Sequence, residues 1–384
     1  MSTLTLELLD RLIAFPTVSR DPNRDLIDFV VGFLAERGVE SELIATADGK
    51  KANLFATLGP KDVPGIMLSG HTDVVPVDGQ VWSSDPFRMR VSDGRAYGRG
   101  TADMKGFVAA ALALVDRAAG ADLKTPLHLA LSHDEEIGCV GVRSLIDSMA
   151  SRAWQPRFCL VGEPTSMRVA LGHKGKLAAK ACAHGVAAHS ALAPQALNAI
   201  HLACDFIDRL RYRQAELAAS GRQDADYDVP YTTIHVGRID GGTALNIVPA
   251  ECTLDFEIRN VAGEDAGGIL ENLRLDADAI VARERTRFEC AAISIATVNT
   301  YPALDTSPDS EVVAFAKALL DDDGHFKVAF GTEGGLFHEA LSIPTVVCGP
   351  GSMEQGHRPD ECVALDQLAA ADRMMDRLLA KLSA

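Results

Sequence analysis

Four short apolar runs, each followed by candidate ligands, constrain this sequence more than any other feature. The first covers residues 66–70 and stops at His71 and Asp73. Three further runs behave in the same way: residues 127–132 precede Glu135 and Glu136, residues 158–162 precede Glu163, and residues 345–349 precede His357. Runs rich in Val, Leu and Ile indicate a buried parallel sheet, and open α/β sheets bind ligands beyond the carboxyl ends of their strands. The pattern therefore predicts one crevice that receives acids and imidazoles from four strands.

Each of these side chains has an ordinary structural alternative. Taken alone, H-T-D at residues 71–73 is typical of a buried histidine beside a turn. Asp103 precedes a helical pattern and could cap that helix. The acids of H-D-E-E-I-G could form a solvated surface turn. A phosphate loop at residues 98–106 is disfavoured, because neither G-x-G-x-x-G nor a Walker motif is completed there.

Composition limits the class of protein. The 384 residues, of which 47% are apolar, are enough for two domains. A formal charge of −16 disfavours a nucleic-acid partner. No apolar run is long enough to span a membrane, and the first residues do not show a basic region followed by an apolar stretch, so we expect a cytoplasmic protein. The eight cysteines lack C-x-x-C spacing, which indicates reduced structural thiols.

The order of predicted elements indicates two domains. Residues 1–173 and 298–384 alternate apolar strands with amphipathic helices, which predicts an α/β fold with a mixed, mostly parallel sheet flanked by helices. Residues 174–297 read as strand, helix, strand, strand, helix, strand. That order is typical of a ferredoxin-like α+β unit. We therefore expect a compact domain inserted into the first one.

The ligands after the strands form a set with a specific chemistry. Two imidazoles and three carboxylates suit zinc, cobalt or manganese better than a thiolate site would, and the set is His71, Asp103, Glu136, Glu163 and His357. Two metals that share Asp103 would use all five and would activate a water between them for amide hydrolysis. Glu135 is then expected to act as the general base. Asp73 is expected to orient His71.

The motifs S-G-H-T-D-V-V-P, G-R-G-T-A-D-M-K-G, D-E-E-I-G, G-E-P-T and G-H-R-P-D-E resemble, in this order and over essentially the whole chain, the M20 family of dinuclear metallo-aminoacylases and peptidases. The resemblance implies two divalent metal ions per subunit, with zinc preferred and cobalt as a substitute. It assigns His71, Asp103 and Glu163 to one metal, and Asp103, Glu136 and His357 to the other. It also makes Glu135 the catalytic base.

The same resemblance extends to the inserted segment, which corresponds to the family's lid and dimerisation domain. His189, in G-V-A-A-H-S-A, matches a lid histidine that serves the neighbouring subunit of a homodimer. Asn246 and Arg259 match positions that hold the substrate carboxylate, a task that suits guanidinium. The alternatives are packing on the lid for His189 and a surface ion pair for Arg259.

Further motifs narrow the expected substrate. F-G-T-E-G-G-L-F and the segment I-P-T-V-V-C-G-P-G-S-M-E-Q-G-H-R-P-D-E are similar to acetylornithine deacetylases. This similarity implies hydrolysis of N2-acetyl-L-ornithine to L-ornithine and acetate, a step of arginine biosynthesis. Glu333 lies in a Gly-rich loop, whose backbone can approach a ligand closely. We expect its carboxylate to favour the cationic side chain of this small-molecule substrate.

Other activities remain open at this stage. Within the family, the alternatives are succinyl-diaminopimelate desuccinylase, N-acyl-amino-acid hydrolase or dipeptidase. A non-catalytic metal-binding protein is disfavoured, because Glu135 is retained although it is assigned to no metal. A serine hydrolase is disfavoured because no G-x-S-x-G occurs.

Overall fold

The computed structural model of the chain describes residues 2–61 and 63–384. The helices of this part, in chain order, are α1 (Thr3–Ile13), α2 (Arg24–Ala35), α3 (Lys105–Ala118), α4 (Val142–Ala150), α5 (Ala199–Ser220), α6 (Ala266–Ala282), α7 (Glu311–Leu320), α8 (Gly334–Leu341) and α9 (Leu365–Ser383). Short 3₁₀ helices cover Ser190–Gln195 and Glu284–Thr286. No helix among the described residues is both long and apolar enough to cross a membrane.

The strands of the same part, in chain order, are β1 (Ser41–Ala45), β2 (Ala52–Leu58), β3 (Ile66–His71), β4 (Arg90–Ser92), β5 (Arg95–Tyr97), β6 (Leu127–Ser132), β7 (Phe158–Val161), β8 (Ala170–His173), β9 (Lys176–His184), β10 (Thr233–Gly241), β11 (Glu251–Arg259), β12 (Ala292–Tyr301), β13 (Leu304–Asp305), β14 (Phe326–Val328), β15 (Thr345–Val347) and β16 (Cys362–Ala364). The four apolar runs that the sequence singles out become β3, β6, β7 and β15.

The chain divides into two compact units, each described here by itself. The first contains the chain as far as Gly172 together with Leu304–Ala384, and the second is His173–Ala303. The proposal that residues 174–297 serve as a lid and dimerisation domain stays a prediction.

In the part of the chain that the structure describes, the first unit contains a nine-stranded sheet. Its strand order is β1-β2-β6-β3-β7-β15-β8-β13, and β14 pairs with β8. Its centre is parallel: β6, β3, β7 and β15 all point the same way. Antiparallel β1 and β2 extend one edge. The predicted α/β fold with a mixed, mostly parallel sheet flanked by helices is confirmed.

Burial explains why these strands read as continuous apolar runs. Every residue of β3, β6 and β7 is buried, as expected for strands covered on both faces. Helix α3 is rich in alanine and leucine, which are strong helix formers, and nearly all of it is buried. Gly162 follows β7 against this helix, where an added Cβ would lie 2.0 Å from the Phe107 ring. A side chain there would push the sheet away from α3.

The second unit has the predicted order of elements, β9-α5-β10-β11-α6-β12. Its four strands form an antiparallel sheet in the order β10-β11-β9-β12. Alternate residues of β9 and β11 are buried, and they pack with α5 and α6 in one core. One face of this sheet therefore carries the helices, while the other face carries the partly exposed residues between the buried ones.

Candidate metal centre

Strand β3 ends at His71, whose side chain is 1% exposed. Its Nδ1–H donates to the backbone oxygen of Asp73 at 2.9 Å. This bond holds the ring so that Nε2 faces the acids. Nε2 lies 3.0 Å from Oδ1 of Asp103 and 3.6 Å from Oε1 of Glu163, the residue two positions beyond β7. The ends of two neighbouring strands and one loop thus meet at a single imidazole nitrogen.

Asp103 lies between two imidazoles. Its Oδ1 faces His71, and its Oδ2 lies 3.1 Å from Nε2 of His357. The same nitrogen of His357 is 3.0 Å from Oε2 of Glu136. The two oxygens of one carboxylate therefore point to two separate groups of donors, as a bridging ligand requires. Asp103 is not a helix cap, because the residue at the N-terminal cap of α3 is Met104.

A second buried acid, which sequence reasoning missed, holds the loop before Asp103. Glu361 is 1% exposed and pairs with Arg99 at 2.6 Å. Its carboxylate also accepts the backbone N–H groups of Gly100, Ala102 and Asp103 at 3.0, 2.9 and 3.1 Å. Four donors satisfy one buried carboxylate, so this loop has a defined position. The only sequence signal was the final Glu of G-H-R-P-D-E.

Asp73 contacts more than the imidazole that it was expected to orient. Its carboxylate oxygen Oδ1 lies 3.5 Å from Nδ1 of His71. The backbone oxygen of Asp73 is closer to the same nitrogen, at 2.9 Å. The carboxylate instead accepts the backbone N–H of Glu135 at 3.1 Å and of Glu136 at 3.3 Å. It also accepts the hydroxyl of Ser19 at 2.6 Å, a residue that sequence reasoning did not identify. Asp73 thus connects the end of β3 to the turn that follows β6.

Glu135 lies near the same centre. Single donor atoms of His71, Glu135 and Glu163 lie within 4.8 Å of one another, as do those of His71, Asp103 and Glu136. The thiol of Cys139 donates to Oε1 of Glu135 at 3.3 Å. The first unit therefore brings together all five residues of the predicted metal set and also the predicted base.

Burial and mutual repulsion dominate the electrostatics of the centre. Burial raises the pKa of Glu135 to about 8, and the charge of Glu136 adds to this effect. Burial, followed by the charge of Asp103, raises the pKa of Glu136 to about 7. The same two causes raise the pKa of Glu163 well above its usual range. For Asp103 burial is outweighed by the hydrogen bonds from His357 and His71, and its pKa is lowered.

This arrangement provides a test of whether divalent cations suit the site. Four carboxylates within one buried group repel one another, and two imidazoles oppose that repulsion only in part. Cations would relieve the repulsion, and nitrogen and oxygen donors of this kind are those that zinc, cobalt and manganese accept. The residues present fit two such ions that share Asp103.

Glu333 lies close enough to this centre for its charge to raise the pKa of Glu135, and it is 1% exposed. It precedes α8, and its carboxylate accepts the hydroxyl of Ser132 at the end of β6 and that of Ser69 in β3, the latter at 3.4 Å. Burial raises its pKa to about 7, and the hydrogen bond from Ser132 opposes that rise. Its expected contact with a substrate side chain stays a prediction, since the described contacts of its carboxylate are with the two serines.

The three predicted residues of the second unit lie in two places. His189 is exposed, and its Nδ1 accepts the backbone N–H of Ala191 at 3.2 Å. Exposed Asn246 lies beside it, because its backbone oxygen accepts the N–H of Ser190 at 2.9 Å. Arg259 ends β11 and donates to Glu257 at 3.0 Å and to the hydroxyl of Tyr301 at 2.8 Å. The ion pair with Glu257 is the structural alternative expected for Arg259, and the roles of all three residues stay predictions.

Comparison with known proteins decides the family. The model of peptidase family M20/M25/M40 matches residues 67–381. The chain belongs to this family. The M20 chain is 33% identical to the acetylornithine deacetylase of Pasteurella multocida (strain Pm70), over 97% of each chain. It is 34% identical to the acetylornithine deacetylase of Myxococcus xanthus, over 97% of this chain and 96% of that one.

Solved structures share the fold of the M20 chain. An M20 family metallo-carboxypeptidase from Sulfolobus solfataricus matches with a TM-score of 0.79 and 19% identity, over 100% of this chain and 99% of that one. A dinuclear metal-binding M20 peptidase from Bacillus subtilis matches with a TM-score of 0.66 and 16% identity, over 98% and 97%. The M20 chain is a metallohydrolase that acts on an amide bond, and the predicted family and enzyme class are confirmed.

Proposed function

We propose that this M20 chain hydrolyses N2-acetyl-L-ornithine to L-ornithine and acetate. The observation that carries the proposal is the position of Asp103 between His71 and His357, with a carboxylate oxygen toward each. The substrate is inferred from the relatives named acetylornithine deacetylase, which match along nearly the whole chain. On this proposal the chain acts in the cytoplasm, in arginine biosynthesis.

Two divalent cations, zinc or substituting cobalt, would be held by the predicted set. His71, Asp103 and Glu163 would hold one ion. Asp103, Glu136 and His357 would hold the other. Such ions, when bound, lower the pKa of a water molecule and polarise an amide carbonyl.

Glu135 is proposed to move the proton of the reaction. Its carboxylate takes a proton from the attacking water as the bond from water oxygen to carbonyl carbon forms. It then gives that proton to the nitrogen as the carbon–nitrogen bond breaks, so acetate and a free amine leave. The position of Glu135 supports this role, because donor atoms of Glu135, His71 and Glu163 lie within 4.8 Å of one another, and a general base must be close to the water that it deprotonates.

Residues of the second unit are proposed to bind the substrate. Asn246 and Arg259 would bind its carboxylate, since a guanidinium pairs with a carboxylate through two hydrogen bonds. Glu333, a residue of the first unit, would favour the cationic side chain of the substrate. His189 would donate to the oxyanion in the partner subunit of a homodimer formed through residues 174–297. An exposed imidazole is available for such a contact.

The substrate proposal is tested by a panel of amides. The purified, zinc-loaded chain is assayed with acetylornithine, acetylmethionine, formylmethionine, succinyl-diaminopimelate and a dipeptide. We expect the highest kcat/KM for acetylornithine. A higher value for succinyl-diaminopimelate or for the dipeptide would reject the proposed substrate and favour one of the other activities in this family.

A further inference from the structure

Three metal-ligating side chains of different chemistry meet on the sheet of the second unit. Cys182 and His184 come from β9, and Glu251 comes from β11. One donor atom of each lies within 4.8 Å of the other two. None of these residues belongs to the metal set of the first unit.

The register of the strands brings the three donors together. Cys182 and His184 are two positions apart in β9 and therefore project from the same face of the sheet. Glu251 is directly opposite His184 on the neighbouring strand, where cross-strand side chains are in contact range. The buried residues of the other face, which include Ala181 and Ala183, pack in the core with the helices. The three donors thus lie on the face that the helices leave uncovered.

The surroundings leave room for a bound ion. On the other side of β9, strand β12 places Ala292 opposite His184 and Ser294 opposite Cys182, and both of these side chains are small. Cys182 and His184 are half-buried, while Glu251 is exposed. Burial, followed by the charge of Glu251, raises the pKa of the Cys182 thiol, and the charge of Lys180 opposes that rise.

We propose that Cys182, His184 and Glu251 form a binding site for a divalent zinc-like cation. Sulfur, imidazole nitrogen and carboxylate oxygen are the three donor types that zinc accepts, and three protein ligands leave a fourth position for water or another ligand. A thiolate donor disfavours calcium and magnesium, which take oxygen ligands. The bound ion would connect β9 to β11. The inference is independent of the proposed function of the first unit.

Cobalt offers a direct test, because a thiolate ligand gives cobalt an intense near-ultraviolet charge-transfer band that nitrogen and oxygen donors do not give. The full chain, first freed of metal by chelation, is titrated with cobalt and followed by absorbance and by elemental analysis. We expect the wild-type chain to develop the band. The Cys182→Ser chain should lack it and should bind one ion fewer, with unchanged amide hydrolysis.

Two matched variants locate the signal. Cys204→Ser removes an exposed cysteine of the same unit, and Cys139→Ser removes the thiol beside Glu135; both should keep the band. Glu251→Gln should weaken cobalt binding by at least ~10- to 100-fold. That is the typical loss of metal affinity when a residue that only hydrogen-bonds to a metal ligand is changed. A wild-type chain without the band, or a band that survives Cys182→Ser, would overturn the proposal.

Discussion

The carboxylate of Asp73 accepts the backbone N–H of Glu135 at 3.1 Å. Asp73 follows β3, whereas Glu135 lies in the turn after β6, so this bond joins the ends of two parallel strands. The same carboxylate also accepts the backbone N–H of Glu136, the next residue of this turn, at 3.3 Å. The position of the proposed base therefore depends on an acid that contacts its backbone.

This relationship predicts different effects for two substitutions of Asp73. Asp73→Ala leaves both backbone N–H groups without their acceptor, which should cost about 1–3 kcal/mol of stability. The turn should shift, and a displacement of about 1 Å can lower kcat about 10²-fold. Asp73→Asn keeps one acceptor oxygen and should lose less. Stability, kcat and metal content are measured together.

Metal content separates the two possible roles of Asp73. His71 donates to the backbone oxygen of Asp73, which both variants retain. We therefore expect Asp73→Ala to keep the ion assigned to His71, Asp103 and Glu163 while kcat falls. Loss of metal with an unchanged rate per bound ion would mean that the carboxylate acts mainly on His71. Ser19→Ala, which removes only the hydroxyl donor to Asp73, serves as a milder control.

The adjacent acids Glu135 and Glu136 allow a matched pair of substitutions. Glu135→Gln should keep both metals and lose on the order of 10²-fold or more in kcat, because the proton acceptor is gone. Glu136→Gln should also weaken metal binding, because Oε2 of Glu136 faces His357 at 3.0 Å. Elemental analysis and kinetics of the two variants show whether each glutamate binds metal or acts only on the proton. Equal metal loss in both would show that Glu135 is a ligand.

The sequence predicted the parts of the centre that depend on local patterns. Strand ends and the residues after them can be read from apolar runs, because each run is followed by its own ligands. The contact between Asp103 and Glu361 could not be read in this way, since 258 positions separate the two residues. The H-x-D motif does not show whether the carboxylate of Asp73 faces His71 or the turn that contains Glu135, because both arrangements have the same sequence.

Other differences have similar causes. Glu333 lies in a Gly-rich segment, which favoured an open loop near a ligand. Its burial depends on Ser69 and Ser132, hydroxyls on two other strands that a single sequence does not connect to it. Strand β1 was not predicted, because it is short and none of its residues is buried. The position of Glu333 thus depends on partners distant in sequence, whereas β1 lacks a buried apolar pattern of its own.

A buried histidine away from the centre should make stability depend on pH. His128 stacks between Phe55 and Trp154, with ring centroids 5.6 and 4.7 Å away. Burial, followed by the charge of Arg152, lowers its pKa to about 4. An unfolded histidine has a pKa near 6.5. Below that pH the unfolded chain binds a proton that the folded chain does not bind, so stability falls as the pH decreases toward 4.

Chemical denaturation at pH 7 and pH 5 tests this dependence. Relative to His128→Gln, the wild-type chain should lose on the order of 2 kcal/mol between the two pH values. His201→Gln changes an exposed histidine and should leave the wild-type dependence as it is. If the free energy of unfolding changes equally with pH in the wild-type and His128→Gln chains, His128 is not the cause of the pH dependence.

The proposed role of His189 predicts complementation between two inactive chains. Glu135→Gln and His189→Ala subunits are mixed, dissociated and reassociated. In a mixed dimer the His189→Ala subunit keeps its base and receives an intact His189 from its partner, so roughly a quarter of wild-type activity should return with random pairing. If His189 acted within its own chain, no site would be complete. No recovery despite demonstrated subunit exchange would reject the shared site.

The most direct test of the central claim follows metal content and acetate release in the same samples. The account predicts that chelation removes both ions of the Asp103 centre and abolishes the release of acetate from acetylornithine, because the nucleophilic water depends on the cations. Zinc or cobalt should restore both together. Full acetate release by a preparation shown to be free of metal would contradict the account.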